Sequence, residues 1–311
     1  MLLILTSLLV IGVSLAVPLL LAALGELIVE KAGVINVGIE GMVLAGALAG
    51  FTASHAAHSP WLGALAALLA GVALASLLAA LSVGVGADQV VVGTAINILS
   101  LGLTGVFFRA LFGGPGALAA PFVPLPLAGL HRLPLVGPAL FEQNALGYVA
   151  WALVPLCAFY LRRTRAGLRL RAVGEYPAAA DGAGVPVARV RVLAVLWGGG
   201  LAGLAGAYLS IGYTNGFAEN MSAGRGFIAL AVVILGHWTP GGIALAALLF
   251  GLADALHYQL LSAGGRAGFL SRLPYQLLQA LPYLLTLLAL LFRSRLKSSP
   301  PAALGEAYQR S

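Results

Sequence analysis

The sequence predicts an all-α polytopic membrane protein, and three observations predict it. Of its 311 residues, 60% are hydrophobic and 9% charged, against about 25% charged in a soluble globular domain. Mean hydropathy is +1.00. The apolar residues gather in stretches close to the 20 or so residues that a bilayer-crossing helix needs. A soluble domain of this size has too little polar surface to cover so much apolar side chain, which excludes that class along with disordered chains and disulfide scaffolds. The single cysteine, Cys157, permits no internal disulfide and reads as packing within an apolar run.

In chain order the stretches are 2–24, 33–53, 61–82, 89–112, 145–161, 192–212, 226–238, 240–260 and 274–292, about nine segments within a range of eight to ten. The first has no positive charge ahead of its apolar core and no clean small-residue cleavage site, so it reads as a retained helix and not a signal peptide. The seventh is short, ends at Gly236-His237-Trp238-Thr239-Pro240, and fits a half-spanning or re-entrant segment. Residues 113–143, rich in Pro and Gly, read as a loop outside the hydrocarbon, where bare backbone groups would cost several kcal/mol each. Small residues four apart (Gly46 and Gly50; Gly199 and Gly203; Gly198, Ala202 and Gly206) let helix backbones approach closely, for bundle packing or for a dimer face.

Net charge is +7, but nucleic-acid binding needs a basic face and not merely a basic total. Seven arginines fall between Arg162 and Arg191, and Arg293, Arg295, Lys297 and Arg310 follow the last apolar stretch. That is the positive-inside pattern of cytoplasmic loops. With nine crossings it places the N-terminus outside, the C-terminus in the cytoplasm, and Glu26, Glu30 and Lys31 at the cytoplasmic interface. The expected organisation is one transmembrane domain, 1–292, with an outer loop 113–143, a cytoplasmic loop 162–191 and a cytoplasmic tail 293–311. The arginines set topology and meet anionic lipid headgroups.

No glycine-rich phosphate loop with its lysine occurs, nor a His-Glu-x-x-His, a zinc-spaced Cys/His cluster or a Gly-x-Ser-x-Gly elbow. No catalytic or metal site is expected. Asn36 and Glu40, four apart, share a helical face in or beside a membrane segment, where a carboxylate is costly unless paired. They suit a translocation pathway or helix interface; alternatively, Glu40 caps backbone amides freed by nearby glycines. Asn97, mid-span, suits the pathway or an interhelical hydrogen bond. In the arginine-rich loop, Pro177, an alanine run, Gly182 and Gly184 read as a short helix with entry and exit signals, a handle for a soluble partner. Asn215, Glu219 and Arg225 are expected at the outer face, as a docking surface or a solvated loop.

The runs Pro18 to Gly25, Ala32 to Met42 (AGVINVGIEGM), Arg171 to Ala180, Gly226 to Gly236, Phe250 to Leu256 and Leu281 to Leu287 stand in one order along the chain. With them the sequence resembles permease subunits of ATP-binding-cassette (ABC) importers in the branched-chain amino acid, ribose and nucleoside superfamily, and most closely those of basic-membrane-protein-type nucleoside importers. The resemblance implies a bacterial cytoplasmic-membrane protein that forms the pathway for nucleosides or, alternatively, simple sugars or branched-chain amino acids. It implies a second homologous permease, an extracytoplasmic substrate-binding lipoprotein, and a separate ATPase that holds ATP and Mg2+, with no cofactor in this chain. It also implies that Gly174, Glu175, Tyr176, Pro177, Ala179, Ala180, Asp181 and Gly182 form the coupling helix for the ATPase. Tyr176 departs from the Asn common before that Pro. The aromatics Phe107, Phe108, Trp197, Tyr208, Tyr213 and Phe217 read mainly as interface anchors, with a minority able to stack on a nucleobase. From another class, an ion-gradient-driven secondary transporter also carries intramembrane carboxylates and broken helices.

Overall fold

Lipid is as apolar as leucine, so membrane helices associate where small residues let their backbones touch. The computed structural model describes residues 2–114, 116–127, 129–130, 133–262 and 300–308. Its helices in chain order are α1 (Leu2–Lys31), α2 (Ile39–Ala57), α3 (Pro60–Leu78, prolonged by a π-helical turn Ala79–Val85), α4 (Gln89–Phe112), α5 (Gly137–Phe141), α6 (Ala145–Arg163), α7 (Arg165–Glu175), α8 (Pro177–Gly182), α9 (Val187–Ala207, prolonged by a π-helical turn Tyr208–Tyr213), α10 (Arg225–Leu235) and α11 (Pro240–Ser262).

Helix α9 is the hub. A Cβ on Gly46 would come within 2.4 Å of the Gly203 carbonyl oxygen, one on Gly71 within 2.0 Å of the Gly199 oxygen, and one on Gly206 within 2.0 Å of the Val43 oxygen. A Cβ on Gly25 would meet the Gly198 oxygen at 2.9 Å. Helices α1, α2 and α3 therefore pack on α9 at backbone contact. The predicted small-residue spacings serve contacts inside this one chain.

Among the described residues, six helices are long and apolar enough to cross a bilayer: α1, α3, α4, α6, α9 and α11, the third and ninth counted with their π-helical turns. This is a multi-pass helical membrane protein. The expected second segment, 33–53, begins as helix only at Ile39, because residues 33–38 are irregular. The expected ninth segment, 274–292, lies outside the described residues.

The connections collect on two faces. One carries α7, α8, the Asp88 cap of α4 and exposed Arg162, Arg163, Arg165, Arg169, Arg171 and Arg189. The opposite face carries the described residues of the 113–136 connection, bonded onto helix ends through Phe122 N–H to the Ile211 oxygen (2.9 Å) and Ser54 Oγ to the Ala120 oxygen (2.7 Å). They are called here the arginine face and the loop face. Helix α10 differs from its neighbours. Its 11 residues extend about 16 Å, half the hydrocarbon thickness.

Replacing Gly46 by Leu should force α2 off α9 at a cost of about 1–3 kcal/mol or more, lowering the melting temperature of the detergent-solubilised protein. Gly102→Ala, with nothing within 4 Å of the added Cβ, should leave the melt unchanged or raise it slightly. Equal melts for both variants would contradict backbone contact as the source of cohesion.

Candidate functional site

Three of the carboxylates within the helical bundle, Glu26, Glu30 and Glu40, find N–H donors at places where a helix is interrupted. Glu26 and Glu30 are one turn apart on α1 and fully or almost fully buried, at 0% and 4% exposed. Protein surrounds both, and Lys31 follows Glu30 at the end of the same helix. Glu26 Oε1 accepts the backbone N–H of Asn36 at 3.0 Å. Glu30 Oε2 accepts the indole N–H of Trp238. Glu40, the second residue of α2, accepts the N–H groups of Gly224 at 2.8 Å and Gly226 at 2.6 Å. It thereby caps the first turn of α10, where the helix dipole also favours an anion.

The amide side chains knit the same region. Asn97, half-buried on α4, accepts the Gly41 N–H at 2.8 Å and donates to the Val37 oxygen at 2.9 Å. Gln89 accepts the Ile35 N–H at 2.7 Å. Asn36 is fully buried and donates from Nδ2 to Met42 Sδ at 3.4 Å. Asn97 lies eight residues into α4, about 12 Å from its arginine-face end. Since Glu40 adjoins Gly41, the N-terminus of α10 sits at that depth, inside the bundle. From there α10 runs to the arginine face, so the segment expected to be short is a half-helix.

His237 and Trp238 follow α10 with φ of 53° and 50°. Left-handed backbone at a bulky residue costs roughly 1–2 kcal/mol, and here it turns the Trp238 indole into the bundle towards Glu30. Sequence reading missed Trp238 and Gln89 as partners. The signal for the first was the Gly236-His237-Trp238-Thr239-Pro240 turn, which had been read only as a segment end.

On the arginine face, Thr164 caps α7 by accepting the Gly167 N–H at 3.0 Å. Helix α8 begins at Pro177, as read from the sequence, and follows a sharp turn at Tyr176, which is 67% exposed. A small second core of Val173, Ala180 and Val187 holds α8 against α7 and α9, with Tyr308 packed on its edge. Glu175 and Asp181 point to residues 302 and 308.

Towards the loop face, Glu219 forms an ion pair with Arg109 at 2.8 Å, both side chains about half exposed. Asn215 is left-handed at φ 57°. Arg225, at the start of α10, donates to the Met221 oxygen at 3.2 Å. The three residues expected at the outer face therefore belong to one connection, 214–225, that descends from the loop face into the bundle. Phe108 and Phe217 are buried and pack at 4.9 Å between ring centroids, whereas Phe107, Trp197 and Tyr213 are about half exposed. No group of three or more His, Cys, Asp or Glu with metal-binding geometry occurs among the described residues. Glu40 and Asn97 are both half-buried, and each is bonded to backbone groups of the interrupted segments.

Residues 8–291 match the family described as branched-chain amino acid transport system / permease component. The chain belongs to this permease family. It is 39% identical, over 95% of both chains, to a Haloferax volcanii protein provisionally named a glucose ABC transporter permease. It is 35% identical to the guanosine ABC transporter permease NupQ of Bacillus subtilis, over 88% of both chains. It is 36% identical to the nucleoside ABC transporter permease NupC of Lactococcus lactis, over 94% of both chains. No solved structure matches. The chain is thus an ABC transporter permease, a membrane component.

Glu40→Ala strips the acceptor from two N–H groups in the bundle, each worth about 1–3 kcal/mol when buried and left bare. The variant should melt well below wild type in detergent, and Glu40→Gln, which keeps one acceptor oxygen, should fall between. An unchanged melt for Glu40→Ala would remove Glu40 as the cap of α10.

Proposed function

We propose that this permease imports nucleosides and that a separate ATPase drives it by docking on α8. The observation that carries the reading is α8 itself: a short helix with its own small core, standing on the arginine face of a chain similar over nearly its whole length to guanosine and nucleoside permeases. A permease without a nucleotide motif needs an external motor. A motor moves a transporter between states only by binding them unequally, and a protruding helix gives it a place to do so. Gly174 to Gly182 form that contact, with ATP and Mg2+ held on the ATPase and no cofactor assigned to this chain.

The positive-inside rule supports the arginine face as cytoplasmic. The N-terminus is then outside and the C-terminus inside, in a bacterial cytoplasmic membrane, with about nine segments in the domain 1–292 and residues 293–311 on the cytoplasmic side. A second homologous permease completes the pathway. An extracytoplasmic binding lipoprotein docks over Asn215 and Glu219 at the loop face; Arg225, expected with them, lies deeper at the start of α10. Glu40 and Asn97, half-buried where α10 begins, present a carboxylate and an amide to sugar hydroxyls, with Asn36 behind them. Hydroxyl recognition suits ribose and glucose alike. The 39% identity to the provisionally named glucose permease favours glucose as the second reading.

The test is uptake into proteoliposomes holding this chain with its permease, ATPase and binding-protein partners. ATP-dependent uptake of radiolabelled guanosine or adenosine, competed by nucleosides but not by glucose, is expected. Ala179→Trp on α8 should abolish it while leaving the melt of the isolated permease unchanged. ATP-dependent glucose uptake establishes the second reading. Ion-gradient-driven uptake by this chain alone overturns the ATPase-coupled one.

A further inference from the structure

Residues Pro300–Tyr308 are not a loose end on the arginine face. Ala303 is 3% exposed, and its N–H donates to the Gly174 oxygen, where α7 ends, at 2.9 Å. The Ala302 N–H donates to Glu175 Oε2 at 3.3 Å, and the Tyr308 hydroxyl donates to Asp181 Oδ2 on α8 at 3.2 Å. The Gly305 N–H donates to the Gly33 oxygen, just past α1, at 3.1 Å. One stretch of nine residues therefore touches both ends of the α8 turn and the end of the helix that carries Glu26 and Glu30.

Arg191 locks this junction from a third side. It lies on α9 and is 2% exposed, unlike the surface arginines of its loop. It donates from Nε to the Ala32 oxygen at 3.2 Å and from Nη1 to the Glu306 oxygen at 2.7 Å. Gly33 takes φ +83°, and a Cβ there would lie 3.0 Å from the Ala303 oxygen, 3.0 Å from Arg191 Nη2 and 3.4 Å from Gly174 Cα. A Cβ on Gly174 would reach the Lys31 oxygen at 2.3 Å. Three pieces of chain meet at backbone distance around two glycines, and the buried Arg191 guanidinium from α9 ties two of them.

We propose that segment 300–308 is a coupling strap, and that Arg191 is its positioning residue: together they deliver movement of α8 to the carboxylate-bearing end of α1. A six-residue helix held only by its own small core would absorb part of a docking force by pivoting. Bonds from Tyr308 to α8, from Ala303 to α7 and from Gly305 to the end of α1 remove that freedom, so displacement of α8 must displace α1. The inference rests on the reading of α8 as the ATPase contact.

The test uses the reconstituted complex and reads three quantities: ATPase co-purification, ATP hydrolysis, and uptake per ATP hydrolysed. Ala303→Pro, which removes the donor to Gly174, and Arg191→Gln should each lower uptake per ATP by about tenfold, with the ATPase still bound and hydrolysing. Tyr308→Phe should lower it by roughly two- to threefold. Arg191→Lys, which keeps the charge and one donor position, should recover part of the loss. Ala303→Pro lies outside the membrane segments, so it stands as the test if Arg191→Gln does not fold. Uptake per ATP unchanged in Ala303→Pro overturns the strap, as does loss of ATPase binding in that variant, which makes the segment part of the docking platform only. If Ala179→Trp leaves the ATPase bound and uptake intact, the reading of α8 fails instead, and the two failures are told apart.

Discussion

A carboxylate inside a bilayer needs N–H donors, and an unbroken helix has none to spare because its backbone groups are spent on one another. That constraint organises this bundle. Glu26 draws its donor from the irregular turn after α1, Glu30 from the left-handed turn after α10, and Glu40 from the first residues of α10 itself. The interruptions in α1–α2 and ahead of α10 are therefore the sites at which the interior carboxyl groups find protein donors.

Around this polar centre the frame is set by glycine. Helix α9 touches α1, α2 and α3 at distances that leave no room for a Cβ, so these helices form a rigid group that carries Glu26, Glu30 and Glu40 at fixed positions. The mechanical consequence is directional. A force applied near the end of α1 on the arginine face moves the carboxylates with it, because that end is bonded to segment 300–308, through it to α7, and to α9 by Arg191. The proposed coupling to an ATPase uses such a route, through helix α8, the Gly33–Gly174 junction and the end of α1.

Much of this was legible in the sequence where the cause is local. Helix α8 follows from Pro177, Gly182 and Gly184, the close helix contacts from glycines four apart, and the half-length of α10 from the break at Gly236 to Pro240. The capping alternative for Glu40 was also open from the surrounding glycines. What was not legible depends on partners far along the chain. Lys31 beside Glu30 suggested the cytoplasmic interface, and nothing local showed that Glu26 would bond Asn36 or that Glu30 would bond Trp238, 208 residues away. Residues 33–38 are apolar enough to pass for helix, and only the Asn36 amide bonded to Glu26 shows why they are not. Arg191 looked like one more topogenic arginine, because nothing in its neighbourhood marks it as buried.

The account depends most on interior carboxylates holding the interrupted segments. Hydrogen–deuterium exchange on the solubilised protein reads this directly, in peptides covering 33–42 and 220–228. In a Glu26→Gln/Glu40→Gln variant the exchange of both peptides should accelerate, while the α9 peptides that pack on glycine keep their wild-type protection. Protection at 33–42 and 220–228 that matches wild type would contradict the account, since those amides would then owe their order to something other than the carboxylates.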